Sequence, residues 1–185
     1  MRPNHSTSSS LSRGGAATLF ACSVVINIAL AGLAVGWRPP GPACAPNLRP
    51  SAWLRQPASE VSDLRGRVVL IAFFGPCHEG ADELVGHLTE LDSHYGRVGL
   101  QVIGVCLPDG DVEADRGAIA RLNPDPAFPV AIDAELACAR QYGIQTSPTL
   151  VAIDRKGHIR HLFEGSGRWD DIDETLWTLL GEPVP

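Results

Sequence analysis

Cys77 is the residue of this 185-residue chain whose neighbours best suit it to act as a nucleophile. It follows a continuous apolar run, Val68–Phe74, and a Gly75-Pro76 break, and it opens a stretch of helical periodicity from His78 to Tyr95. A thiol in the first turn of a helix meets exposed amides and the positive end of the helix dipole. Both favour thiolate, the form that attacks disulfides. A protonated His78 adds to that effect, and Glu79 opposes it. Two cysteines spaced C-x-x-C would form a dithiol here, but position 80 is Gly80. Glu83, one turn further on, reads either as a proton-exchange partner of the thiol or as a solvated helix carboxylate. Cys106 ends a second apolar run, Gly99–Val105, and is a possible resolving thiol; the plainer alternative is a packed strand-end cysteine.

These residues need elements to hold them. Val68–Phe74 has the pattern of a strand covered on both faces, as parallel strands are. The 99–105 run is a second strand, so strand, helix and strand form a crossover whose strands end at one edge of the sheet. Further on, 111–122 and 135–142 read as helices and 128–132 as a short strand. The segments 149–153 and 158–163 read as strands joined by Asp154-Arg155-Lys156-Gly157, a hairpin turn with glycine where positive φ is wanted. A helix over 171–180 closes the chain. The sum is an α/β domain with a mixed central sheet flanked by helices. His87, His94, His158 and His161 lack ligand-spaced partners, so no metal site is expected. Nor does any motif call for a cofactor. Trp169 and Trp177 read as packing residues of the last helix, and Cys138 as a core residue.

Charge and hydropathy divide the chain. All 21 acidic residues and 10 of the 15 basic ones lie from Glu60 onward, a net −11. Phosphate contacts need clustered Lys and Arg, so nucleic-acid binding is not expected. The five cysteines are odd in number and scattered, unlike a disulfide framework. Residues 1–15 are polar and Ser-rich, the composition of a disordered segment. Residues 16–37 carry no charge and are long enough to span a bilayer, which is the expected transmembrane anchor; an uncleaved or a cleaved signal is the alternative. Its early position favours a domain on the extracytoplasmic, periplasmic side of the cell membrane. Residues 38–58, with six prolines, read as a linker, and 59–185 as the folded domain.

Three blocks carry a family resemblance. SDLRGRVVLIAFF resembles the segment leading into the active site of TlpA/ResA-like, membrane-anchored thioredoxin-fold proteins. YGIQTSPTLVAIDRKGHI resembles their cis-proline segment and the hairpin after it. FPVAID, with the helix before it, resembles the element this group inserts into the basic fold. The resemblance implies a thioredoxin-like fold and thiol–disulfide exchange with protein or small-molecule thiols and disulfides. It also implies a cis Pro148 facing the thiol, with Ser147 and Thr149 flanking the strand that a substrate would add to. The family pattern of Trp, then CxxC, then xxE is broken here. Cys77 takes the first cysteine, Gly80 the second, Glu83 the acid, and no Trp precedes the thiol. Ala72 stands where thioredoxins carry a buried Asp.

Three functions compete. The first is a membrane-tethered thiol–disulfide oxidoreductase using Cys77, resolved by an external thiol or by Cys106. The second is a thiol peroxidase passing through sulfenic acid, weakened by Phe74 standing where that group has a Thr. The third is a non-catalytic binding or copper-handling module that keeps the fold without the chemistry.

Overall fold

The computed structural model describes residues 43–54, 60–76, 79–108, 112–122 and 127–185. Its centre is β2, Val68–Phe74, every residue of which is buried. The strand is apolar throughout because both of its faces and both of its edges are covered. One edge pairs in parallel with β3, Leu100–Cys106, from Val68 opposite Leu100 to Phe74 opposite Cys106. The other pairs antiparallel with β5, Thr149–Ile153, bringing Thr149 opposite Phe73. β4 (Val130–Ile132), β6 (Ile159–Glu164) and β1 (Ala52–Trp53) complete a six-stranded mixed sheet in the order β1-β4-β3-β2-β5-β6.

Alternate residues of β2 feed two apolar layers. Val68, Leu70, Ala72 and Phe74 pack with α1 (Ala81–Tyr95), α4 (Trp169–Leu180) and Ile119 of α2 (Val112–Leu122). Val69, Ile71 and Phe73 pack with Cys138, Ala139 and Tyr142 of α3 (Ala137–Tyr142) and with the short helical turn Val61–Leu64. Burying each such large apolar side chain contributes about 1.5–3 kcal/mol, so these layers dominate the driving force. The expected strands and helices all appear, most with ends moved by one or two residues.

Two differences matter. The first is Ala43–Leu54, read from its prolines as linker. The segment instead crosses one face of the sheet as a strap and supplies an extra edge strand. Cys44 bridges to His158 beside β6, and Ala45 N–H donates to Gly157 O at 2.8 Å. Ala45, Leu48 and Trp53 pack on the α3 layer, and β1 pairs antiparallel with β4 at the far edge. Backbone groups that a free linker would leave to water are thus paired within the domain. The second difference is at α1, which begins at Ala81 rather than at His78. The expected anchor, residues 16–37, lies outside the described residues, and no described helix is long and apolar enough to cross a membrane.

The strap and α3 share a buried polar junction that the sequence reading missed. Asp133, fully buried, accepts from Cys138 N–H at 3.1 Å and Ala139 N–H at 2.9 Å, satisfying the start of α3. Arg49 N–H of the strap donates to Cys138 Sγ at 3.3 Å. Burial, with the Asp133 charge adding to it, pushes the Cys138 thiol up to about 11. At the hairpin, burial works to raise the carboxyl of Asp154. Donors from His158 N–H, Arg160 and Lys156 N–H outweigh it and hold the group below the usual carboxylate range.

The shifts at Cys138 and Asp154 each give a measurable outcome. At pH 8 a thiol of pKa about 11 is thiolate only about one part in a thousand, so a maleimide should modify Cys138 at least about 100-fold more slowly than exposed Cys44. Peptide mapping of the native protein reads this directly; equal rates would mean that the strap does not cover α3. Asp154→Ala strands the N–H groups of Lys156 and His158, and should cost about 1–3 kcal/mol in urea unfolding at pH 7. Because the folded carboxyl is depressed, its stabilisation is complete above the unfolded pKa and lost as pH falls through the folded one. The wild type's advantage should therefore shrink between about pH 4 and pH 2.

Candidate active site

The carboxyl end of β2 delivers the chain to a cleft of about 120 Å³. Phe74 and Gly75 form one wall, Ser147 and Pro148 the facing ledge, and Glu79 and Glu83 the mouth. The ledge is placed by the register of β5: with Thr149 opposite Phe73, the residues before Thr149 lie beside those after Phe74. The Ser147–Pro148 peptide bond is cis. Gly75 N–H donates to Ser147 Oγ at 3.1 Å, which ties the ledge to the loop that runs on to Cys77. Cys77 and His78 themselves lie outside the described residues. Their neighbours on both sides, Gly75 and Glu79, line the cleft.

The flanking residues sort by what their side chains are free to do. Ser147 is half-buried, with its hydroxyl engaged by Gly75. Thr149 is 1% exposed and donates its hydroxyl to Thr146 O at 2.8 Å, so its side chain is structural and does not meet a ligand in the cleft. Pro148 O accepts from Gly165 N–H at 2.9 Å, which holds the ledge from behind. Glu83 lies at the mouth, 72% exposed, with Oε1 3.7 Å from Nε2 of His87. It is a solvated carboxylate on the cleft rim.

Cys106 is paired opposite Phe74, as the crossover predicts, and Leu107 N–H donates to Phe74 O at 2.8 Å. Its side chain is fully buried in the layer of Leu84, Val85 and Leu88. Ala72 is fully buried too, so no carboxylate lies beneath the site at that point. Trp169 is half-buried and lines the cleft, whereas Trp177 is 71% exposed and packs against no core, contrary to its expected role. Among the described residues, no three His, Cys, Asp or Glu side chains gather in a way that would hold a metal ion.

Gly80 is the feature that sequence reading half caught. It caps α1 with φ +83°, ψ 8°, a left-handed conformation that glycine adopts freely and L-residues rarely do. A Cβ placed on it would meet nothing within 4 Å. The position of the absent second cysteine is therefore open space, on a backbone that disfavours any side chain. α1 starts at Ala81, four residues after Cys77 in the chain.

Comparison with known proteins agrees with this geometry. The sequence profile of the redoxin family matches residues 45–176. Protein DipZ of Mycobacterium tuberculosis is 30% identical over 147 residues, covering 76% of this chain and 21% of its own length. Thiol-disulfide oxidoreductase ResA of Geobacillus thermodenitrificans is 24% identical, covering 63% of this chain and 65% of its own. The chain thus spans about a fifth of DipZ and about two thirds of ResA. A thiol-disulfide isomerase structure from Corynebacterium glutamicum superposes with a TM-score of 0.62 at 25% identity, over 75% of this chain and 98% of that one. A sheet led by a buried β2, a cis-proline ledge beside its end, and a profile match across most of the domain converge on one assignment: the chain belongs to the redoxin family, as a ResA-like protein of thioredoxin fold.

Proposed function

We propose that this protein is a membrane-tethered thiol–disulfide oxidoreductase that works through one thiol, Cys77, with an external thiol resolving the mixed disulfide. The observation that carries this reading is the cleft between the cis-Pro148 ledge and Gly75, two residues before Cys77. A substrate strand on that ledge presents its sulfur to the loop bearing the nucleophile. The name of ResA, thiol-disulfide oxidoreductase, supports the reaction class. The uncharged stretch 16–37 supports the tether, with the domain on the extracytoplasmic side.

The cycle balances without a second cysteine in the motif. Cys77 thiolate attacks one sulfur of a substrate disulfide, forms a mixed disulfide and releases the other sulfur as thiolate. An external thiolate then attacks the substrate sulfur of that mixed disulfide. It leaves as a new disulfide with the substrate, and Cys77 is regenerated as thiolate. Full burial of Cys106 favours the external thiol over internal resolution, since Cys106 would have to leave its apolar layer to react.

Two variants test the reading. Cys77→Ser should lower exchange with glutathione mixed disulfides by at least about 100-fold, toward the uncatalysed rate, because the hydroxyl is a poor nucleophile at its ordinary pKa; an unchanged rate would sink the proposal. Gly80→Cys places an L-residue at φ +83° and should cost about 1–3 kcal/mol. It should also yield little intramotif disulfide when the oxidised protein is mapped by mass spectrometry. A fully formed bond from Cys77 to the introduced thiol would show that the backbone at position 80 adapts freely.

A further inference from the structure

A second groove, about 300 Å³ in volume, lies between α1 and α4 and shares Trp169 with the active-site cleft. Its walls are aromatic and anionic. Trp169 stacks on His87 with ring centroids 4.2 Å apart, and Tyr95 donates its hydroxyl to Asp173 at 2.9 Å. Glu90, Asp170 and Asp173 line it, with His94 at one side. Among the described residues, no Lys or Arg lines either the groove or the cleft. Arg168, next to Trp169 in the chain, is engaged elsewhere: it pairs with Asp171 at 2.9 Å and lies over the Phe163 ring.

From this we infer that the groove is a specificity subsite for a cationic side chain, Arg or Lys, on a polypeptide whose cysteine lies in the adjoining cleft. The inference rests on the reading of the cleft as the exchange site, and adds which substrates that site prefers. Three observations combine. The groove and the cleft share Trp169 as a lining residue, so they adjoin and one extended segment can span both. Trp169, one face of which stacks on His87, and Tyr95 bring aromatic rings to the groove, the partners that guanidinium and ammonium groups take in cation–π contact. Carboxylates at Glu90, Asp170 and Asp173 complement a positive charge and repel a negative one.

The spacing follows from the helix. Glu83 at the cleft mouth and Glu90 in the groove are seven residues apart on α1, about 10 Å along the axis at 1.5 Å per residue. An extended peptide rises about 3.3 Å per residue, so the basic side chain belongs about three positions from the reacting cysteine.

The test uses the full chain in detergent at constant pH. Single-cysteine peptides carry Arg, Ala or Glu three positions from the cysteine on either side, and are presented as mixed disulfides with thionitrobenzoate. Attack by Cys77 thiolate forms the Cys77–peptide disulfide and releases thionitrobenzoate, which is read by absorbance. The Arg peptide should react about tenfold faster than the Glu peptide at low salt, the sum of a few exposed charge contacts, with the gap closing at about 0.5 M salt. Asp170→Asn combined with Asp173→Asn should remove that gap, bringing the Arg and Glu peptide rates together. If Arg and Glu peptides react within twofold of each other in a Cys77-dependent way, the groove inference is overturned and the exchange reading stands. If no peptide reacts, the exchange reading fails. The groove is then judged by binding alone, using cysteine-to-serine peptides and the indole resonance of Trp169. Preferential binding of the Arg peptide, lost in the double variant, supports the subsite, and equal binding of Arg and Glu peptides overturns it.

Discussion

Hydrogen bonding of β2 on both of its edges is the constraint on which the rest of the structure depends. Because β3 and β5 both pair with it, the end of β2 is fixed against two independent elements at once. One brings Cys106 opposite Phe74, and the other brings the cis-proline ledge beside Gly75. Both faces of β2 are apolar, so alternation of polar and apolar residues does not by itself set its register. A small pair does part of that work. Ala72 lies opposite Gly104, and a Cβ on Gly104 would come within 3.3 Å of Phe74, Phe128 and Val130. A slip of one residue would put Ile103 or Val105 where even a Cβ is tightly crowded. The close packing that orders Phe74, one wall of the cleft, therefore also locks the strand pairing.

The parts of this architecture that were legible in the sequence share one property: their signal is local and strong. Val68–Phe74 is a seven-residue apolar run whose observed bounds match the expected ones. The Asp154–Gly157 turn carries its glycine at φ +82°, where the hairpin needs it. The cis-proline segment was found through family likeness, since an X-Pro bond is seldom cis on base rates alone. At the site, Glu83 lies on α1, and Ser147 and Pro148 lie on the ledge before β5. What the side chains of Ser147 and Cys106 do there followed only from partners distant in the chain, Gly75 and the α1 layer, whereas Thr149 is held by its near neighbour Thr146.

The strap from Ala43 to Leu54 was illegible for a related reason. Its prolines and lack of periodicity are those of a linker, and only two of its residues form a strand. What holds it is a set of contacts at long sequence separation: Arg49 with Cys138, Ala45 with Gly157, Ser51 with Ile132. None leaves a pattern in the segment itself. The same applies to Asp133, whose full burial looks costly until the two amides that it caps are counted. Trp177 errs in the opposite direction. Helical spacing assigned it to packing, but Ile172, Leu176 and Leu179 already fill the buried face of α4.

Gly80 joins these lines of reasoning. Had a cysteine simply been replaced at an ordinary helical position, a single substitution would restore the dithiol, and the one-cysteine site would be a point defect on an intact frame. The backbone argues otherwise. The helix begins after Gly80, the glycine is left-handed, and the space around it is open. Residue type and local conformation suit each other here: φ +83° suits glycine, and glycine leaves room beside the ledge. Such mutual consistency is characteristic of a conformation the whole sequence specifies rather than of an isolated loss. The open position lies between a polar ledge and an anionic rim, where an incoming sulfur has access that an internal cysteine would otherwise occupy. The proposed one-thiol exchange depends on its partners for its second half, so on that reading the chemistry of the surface around the cleft decides which partners it serves.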